Sequence, residues 1–372
     1  MKPGHVRILR AMLGVPTAPF CEEAVATQIA DWAKGRGVGI SRDPAGNVLL
    51  RVRRGSAKRR PRWVFAAHMD HPGFVATRRR GRAVWAEFRG SGVDREYFPG
   101  SRVRFFTSAG EVCGTIRSVR KRPPADWLLC RVELDGRSSP SCRDKPAPVG
   151  AGTVGMWDLP AMRIVGERIH SRGCDDVVGS AAVVCALDEI VSRKIATDVT
   201  ALLTRAEEVA FIGALAACRD RSIPRDAKIV AIETSQATAL ARPGDGVVVR
   251  VGDKTRTFDP SLTAHVSAVA KALRRRDRNF RYLRQLMPGG TCESTAYAMF
   301  GYSATGLSLP MANYHNCGPN GRIAVEKVHL GDFASLVKLL VALAGEKRTP
   351  DDNDARLKRR LNQLLTQRGR YL

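Results

Sequence analysis

The stretch FAAHMDHPGF, residues 65–74, sets His68, Asp70 and His71 within four positions, directly after the apolar run Val64–Ala67. Neutral imidazole and carboxylate are the ligands that borderline divalent metals such as zinc take. The same residues also suit a polar turn after a core strand, because Pro72-Gly73 follows at once. Four further sites repeat the pattern. Asp175-Asp176 stand in GCDDVVG ahead of a helical stretch, and Glu207-Glu208 follow the apolar run VTALL. Glu233 ends IVAIE, and His315 lies in NYHN beyond Leu309-Pro310. Each alone has an ordinary explanation as a helix cap, a solvated pair or a turn residue. Together, in the order His, Asp, Glu, Glu, His, they stand at the ends of strand-like runs. The carboxyl ends of strands line the ligand crevice of an open α/β sheet, so these sites can converge there.

The elements that must position them alternate in type. Val25, Ile29 and Trp32 fall on one face of a helix over residues 20–35, and DPAGN (43–47) is a turn before the strands NVLLRV and WVFAA. From about 77 to 164 the texture is short alternating runs such as VRFFT, VCGTIRSV and WLLCRVEL, which is an all-β pattern. After about 165 helices and strands alternate again. Helices are expected over 179–191, 209–218, 261–276 and 326–344, and strands in ATDVTALLT, AKIVAIE, GVVVRV and SATGLSL. The expected organisation is a discontinuous α/β domain (1–76 and 165–346) interrupted by a β domain (77–164). A basic extension (347–372) follows, with Leu357, Leu361, Leu364 and Leu365 on one face for packing on the body or a partner subunit.

At 372 residues, two domains are the default expectation. No run of uncharged apolar residues is long enough to span a bilayer, and the N-terminal stretch lacks a signal-peptide pattern. No membrane partner is therefore expected. Nine dispersed cysteines without a Cys-x-x-Cys pair suit a reducing cytoplasm, not a disulfide framework or a cysteine zinc site. The net charge is +25, with 48 arginines against 13 lysines. The basic clusters (Arg51 to Arg62, Arg78 to Arg82, Arg274 to Arg284, Lys358 to Arg360) are separate and carry few aromatics. They match no nucleic-acid-binding motif, so no specific nucleic-acid partner is expected.

With DPAGN, AHMDHPGF, DDVVG, EEV, GGTCES and LPMANYHN, the chain resembles the M42 family of dinuclear metallo-aminopeptidases, relatives of the wider M20/M28 zinc exopeptidases, over residues of about 7 to 345. The resemblance implies a zinc-exopeptidase-like α/β catalytic domain with a small β-barrel-like domain inserted after the first metal motif. It implies two divalent ions per chain, zinc first, with cobalt or manganese as alternatives. By motif, His68, Asp175, Glu208, Glu233 and His315 are the implied ligands, with Asp175 shared between the ions. Glu207 is the implied general base, and Asp70 orients His68. His71, Gly290, Thr291 and Glu293 are the implied substrate contacts. The resemblance also implies peptide substrates and a homo-oligomer, a dimer or larger, up to a dodecamer. Three positions depart from the family pattern: His71 replaces the usual Glu, Glu233 the usual Asp, and Val177 the frequent Arg. Another amide hydrolase on the same core, a deacylase or dipeptidase, is the alternative, and an inactive basic binding protein a further one.

Overall fold

The computed structural model describes residues 1–55, 60–122, 127–135 and 148–372. Lys58 and Arg59 of the first basic cluster, and Cys142, lie outside the described residues. Helix α1 (Pro3–Gly14), not expected from the sequence, buries Leu9, Met12 and Leu13. Helix α2 (Glu23–Arg36) ends on Gly37 at φ +64°, the left-handed cap that glycine takes without steric cost. Strands β1 (Gly39–Arg42) and β2 (Val48–Arg54) form a hairpin around DPAGN. In that turn the Asp43 carboxylate accepts the N–H groups of Ala45 and Asn47. Strand β3 (Trp63–His68) is buried at every position, as a strand covered on both faces must be.

The chain then leaves the sheet. Strands β4 (Gly73–Arg80), β5 (Ala83–Arg89), β6 (Arg102–Thr107), β7 (Gly110–Arg122), β8 (Trp127–Leu134) and β9 (Val154–Trp157) close a barrel in the order β4-β5-β8-β7-β6-β9. Closure leaves no free edge. Its core is aromatic: Phe74, Phe88, Phe98 and Trp157 pack with ring centroids 4.8–6.4 Å apart. Phe98 comes from the loop between β5 and β6 and is fully buried. Phe98→Ala should therefore cost about 3–5 kcal/mol, read as a lower thermal midpoint, whereas an unchanged midpoint would mean that the barrel repacks around the gap.

Strands β10 (Met162–Val165) and β11 (Arg168–Ser171) return to the large sheet. Helix α3 (Val177–Ser192) follows, buried nearly all round, as befits a helix packed between the sheet and its neighbours. Then come β12 (Thr197–Thr204), α4 (Ile212–Arg219), β13 (Lys228–Gln236), β14 (Val247–Gly252), α5 (Pro260–Arg276), β15 (Tyr282–Leu286), α6 (Glu293–Met299) and β16 (Ser303–Ala312). Strand β17 (Glu326–His329), α7 (Leu330–Gly345) and α8 (Pro350–Arg368) complete the described chain. The helix expected over 326–344 thus begins four residues later. Glu326–His329 is a strand because it pairs with β11 and β16.

In the large sheet β12, β3, β13 and β16 run parallel as neighbours. Helices α1, α2, α3, α5 and α7 contribute to one core, and α4 and α6 to a smaller core on the other face. The register sets Thr204 beside His68 and Glu233 beside Ser308. The carboxyl ends of four strands therefore share one edge, the place where such sheets bind ligands.

Candidate metal centre

His68 is the last residue of β3, and its ring is buried. Its Nδ1 lies 3.1 Å from the backbone carbonyl of Asp70, an acceptor only, so Nδ1 donates and Nε2 is turned toward the acids. His315 repeats this arrangement. Its Nδ1 donates to the Ser91 carbonyl at 2.7 Å, on the loop after β5. Beside it Gly92 sits at φ +71°, where a Cβ would come within 3.0 Å of His315 Nδ1. The barrel thus buttresses a residue that follows strand β16 of the large sheet. Metal-binding histidines are commonly held through the second ring nitrogen in this way.

Asp175 stands between the two rings. Its Oδ1 is 3.5 Å from His68 Nε2, and its Oδ2 is 3.6 Å from His315 Nε2. Glu233 Oε1 is 3.4 Å and Glu207 Oε2 3.8 Å from His68 Nε2, while Glu208 Oε2 is 3.1 Å from His315 Nε2. Three trios have ligand atoms within 4.8 Å of one another: His68 with Asp175 and Glu233, Asp175 with Glu208 and His315, and His68 with Glu207 and Glu208. Asp175 belongs to two of them. The donor set fits a divalent cation on an independent ground. Asp175 Oδ1, Glu208 Oε1 and His315 Nε2 are buried without hydrogen-bond partners, and all three belong to residues of one ligand-spaced trio. Buried polar atoms left so are costly unless a ligand completes them.

Electrostatics agrees. Burial pushes Glu207 well above the ordinary carboxylate range, and the charges of Glu233, Glu208 and Glu293 add to the push against the pull of His68. Glu208 and Glu233 are raised first by burial as well. Burial works to lower His68 and His315, yet the surrounding carboxylates, led by Glu207 for the first and Glu208 for the second, raise both well above an ordinary imidazole. Burial pushes Asp175 up, but the two imidazoles pull harder and leave it below the usual carboxylate range. Acids gathered at this density demand positive charge, and a divalent ion supplies it with both imidazoles neutral.

The residues around the cluster hold it in place. Asp70 is expected to orient His68, and its carboxylate lies 3.5 Å from His68 Nδ1, an ion-pair distance longer than a good hydrogen bond. The carboxylate accepts the N–H of Glu207 at 3.0 Å and of Glu208 at 3.1 Å. Asp70 therefore fixes the two glutamates, and its backbone carbonyl fixes His68. Asp70→Asn places an amide against one of those N–H groups and should cost about 10–100-fold in metal affinity or turnover. Parent-like values for both would remove Asp70 from this role.

Asp176, joined to Asp175 by a cis peptide, accepts the Thr234 hydroxyl at 2.7 Å. Its carboxylate passes so close to Gly179 that a Cβ there would lie 2.2 Å from either oxygen. Only glycine fits on that turn of α3.

Two expected substrate contacts need correction. His71 is fully buried behind the cluster, with Nδ1 donating to the Asp175 carbonyl at 2.6 Å and Nε2 3.0 Å from Asn316 Oδ1. Its position after the first ligand motif suggests a lining role, but both ring nitrogens face the scaffold, with Nδ1 the donor. Glu293 is likewise buried, receives the Tyr297 hydroxyl at 3.2 Å, and is pushed up to about 7 by burial. Gly290 and Thr291 do line the cavity.

That cavity, about 590 Å³, opens over Asp175, Glu207, Glu208 and Glu233. Phe211, Met287 and Tyr314 form apolar walls, Trp127 and Ser91 come from the barrel, and the buried Arg250 lies at one side. Trp127, Arg250 and Glu326 were not anticipated. Glu326 is fully buried and accepts the N–H groups of Cys174 and Asp175 at 2.5 and 3.1 Å. No local pattern announces it, because its partners are about 150 residues away.

The profile of the M42 glutamyl aminopeptidase family matches residues 46–339. The chain belongs to that family. It is a peptide hydrolase of the M42 type, and the family implies divalent metal. Among solved structures it is similar to the TET1 peptidase of Pyrococcus horikoshii, at 22% identity over 92% of this chain and 99% of that one, with a TM-score of 0.69. A TET aminopeptidase from a marine-sediment thaumarchaeon matches at 18% identity over 92% and 96%, with a TM-score of 0.74. An aminopeptidase of Desulfurococcus kamchatkensis matches at 21% over 94% and 96%, with a TM-score of 0.73. These likenesses show the fold. No curated protein gives a significant match.

Proposed function

We propose that this M42 peptidase is a dinuclear metal-dependent aminopeptidase that removes N-terminal residues from peptides. The observation that carries this reading is Asp175, whose two carboxylate oxygens face His68 on one side and His315 on the other. His68, Asp175 and Glu233 would hold one ion, and Asp175, Glu208 and His315 the second. Zinc is the first choice for this mixed nitrogen and oxygen set, with cobalt or manganese compatible. When bound, the ions polarise the scissile carbonyl and make water a stronger nucleophile.

The chain's own residues supply the rest. Glu207 takes the proton from the attacking water and delivers it to the leaving amine. Burial raises its affinity for the proton, and bound cations would pull the other way and leave the carboxylate free to accept it. Gly290 and Thr291 bind the peptide along the cavity wall. Asp70 holds Glu207 and Glu208 at fixed separation through their N–H groups.

Residues 1–76 with 165–346 form the catalytic domain in this reading, and 77–164 the inserted domain that shields the site. The barrel's hold on His315 through Ser91 supports that division of labour. Solved relatives that assemble as a dodecamer, and as a tetrahedron or a large octahedral shell, support a homo-oligomer. Eight described cysteines without a disulfide support a reducing, cytoplasmic setting.

The test is hydrolysis of a panel of aminoacyl amides and the same substrates with blocked amino ends, after loading with zinc, cobalt or manganese. Cleavage of free-amino substrates with at least a tenfold preference over blocked ones, lost on chelation, is the expected result. Preference for N-acyl substrates would make the protein a deacylase on the same core.

A further inference from the structure

Helix α8 (Pro350–Arg368) lies beyond the residues that match the family, 46–339. A capping box between Thr349 and Asp352 starts it, and its first turn is seated on α5. There Asn353 meets His265 Nδ1 at 2.8 Å, and the Ser261 hydroxyl bonds Asp354. From Ala355 onward only Leu364 and Gly369 are even partly covered. Leu357 and Leu361 are each 55% exposed, Leu365 62% and Tyr371 76%.

At 3.6 residues per turn, Leu357, Leu361, Leu364 and Leu365 fall within an arc of about 80–120°. Lys358 and Arg360 stand at its two margins, and Arg368 projects from inside it. After Asp354 the sequence to Leu372 contains six cations and no acid. A stripe of exposed leucines flanked by uncompensated positive charge needs a cover that is apolar and anionic together.

We propose that α8 docks on an anionic lipid surface, lying in the plane of the headgroups with its leucines inserted. Charge complementarity and the placement of the cations select this occupant. A second copy of α8 would set its stretch Arg356–Arg368, five cations and no acid, against the same stretch. Nucleic acid would neutralise the arginines and leave the leucines in water. A closed acidic protein groove would bury Arg368 among apolar walls. At a bilayer surface Lys358, Arg360 and Arg368 extend to the headgroups while their stems and the leucines stay in the acyl boundary. None of the described helices is long and apolar enough to cross a membrane, and an interfacial helix needs no span. The expectation of no membrane partner rested on the missing span alone.

The test uses the full chain in cosedimentation with vesicles of phosphatidylcholine alone and of phosphatidylcholine with phosphatidylglycerol, at physiological salt. Recovery should be at least about tenfold higher on the anionic vesicles, because each cation near the surface adds to the attraction. The pair Leu361→Glu with Leu365→Glu, and separately the pair Lys358→Ala with Arg360→Ala, should each lower affinity roughly tenfold or more. Both pairs sit on exposed positions that do not line the cavity, so peptide hydrolysis should stay at the parent level and report an intact fold. Equal recovery on neutral and anionic vesicles, background recovery on both, or parent-like binding by the leucine pair would overturn the proposal. A drop in oligomeric mass for the leucine pair, with vesicle recovery at background throughout, would assign the stripe to a second copy instead.

Discussion

Glu207→Gln should lower turnover by about 10²–10⁴-fold, the usual share of a general base, while the protein keeps its metal. Glutamine preserves the length of the side chain and cannot take the proton. The backbone of residue 207 stays anchored through its N–H to Asp70, so the loop should not move. Glu207 also belongs to one of the three trios with metal-ligand spacing, which makes the experiment decisive between two roles. Its Oε2 lies 3.8 Å from His68 Nε2, farther than Glu233 at 3.4 Å, which is compatible with the base role proposed for it from the family resemblance. Loss of an ion from Glu207→Gln, or near-parent turnover, would exchange the roles of Glu207 and Glu208. Glu208→Gln should instead weaken one ion, with partial rescue by added metal.

Asp175→Asn should damage both ion sites at once. One of the two carboxylate oxygens becomes an amide nitrogen, which cannot bind metal, and the charge that balances two cations is gone. The backbone contacts of residue 175, from its N–H to Glu326 and from the His71 ring to its carbonyl, survive the change. Turnover should fall by more than the 10–100-fold expected of an outer partner such as Asp70. Differential scanning with and without zinc reads the same loss independently. A ligand at about a hundred times its Kd stabilises the native state by about 2.7 kcal/mol, so added zinc should raise the parent's midpoint and leave the variant's almost unmoved. A variant that retains the full zinc shift would show that Asp175 is not shared.

That His68, Glu208, Glu233 and His315 come together was legible in the sequence because they stand at or just beyond the carboxyl ends of buried apolar strands, and strand order in a parallel sheet brings those ends together. His68 after WVFAA and Glu233 in IVAIE needed nothing more than that pattern. What the sequence withheld is long-range. Asp70 reads as a partner for its near neighbour His68, yet its carboxylate goes to Glu207 and Glu208, across the β3–β12 boundary. His71 sits in the first metal motif and looks like a lining residue. Only the fold shows its ring wedged between the Asp175 carbonyl and Asn316. Glu326 lies in a stretch whose apolar spacing suits a helix, and pairing with β11 and β16 overrides that local preference. The β texture of the insertion was plain, but closure of its strands into a barrel depends on register shifts within β4 and β7. No local spacing reveals those shifts.

The most direct test of the central claim is a metal count joined to a rate. Metal-free protein is titrated with zinc, bound metal is measured by elemental analysis after removal of excess, and hydrolysis of a free-amino aminoacyl amide is followed at each point. Two ions per chain, with full activity reached only as the second is taken up, is the result predicted by the Asp175 geometry and by two-metal chemistry. Saturation at one ion or none, with hydrolysis unaffected by chelation, would contradict it.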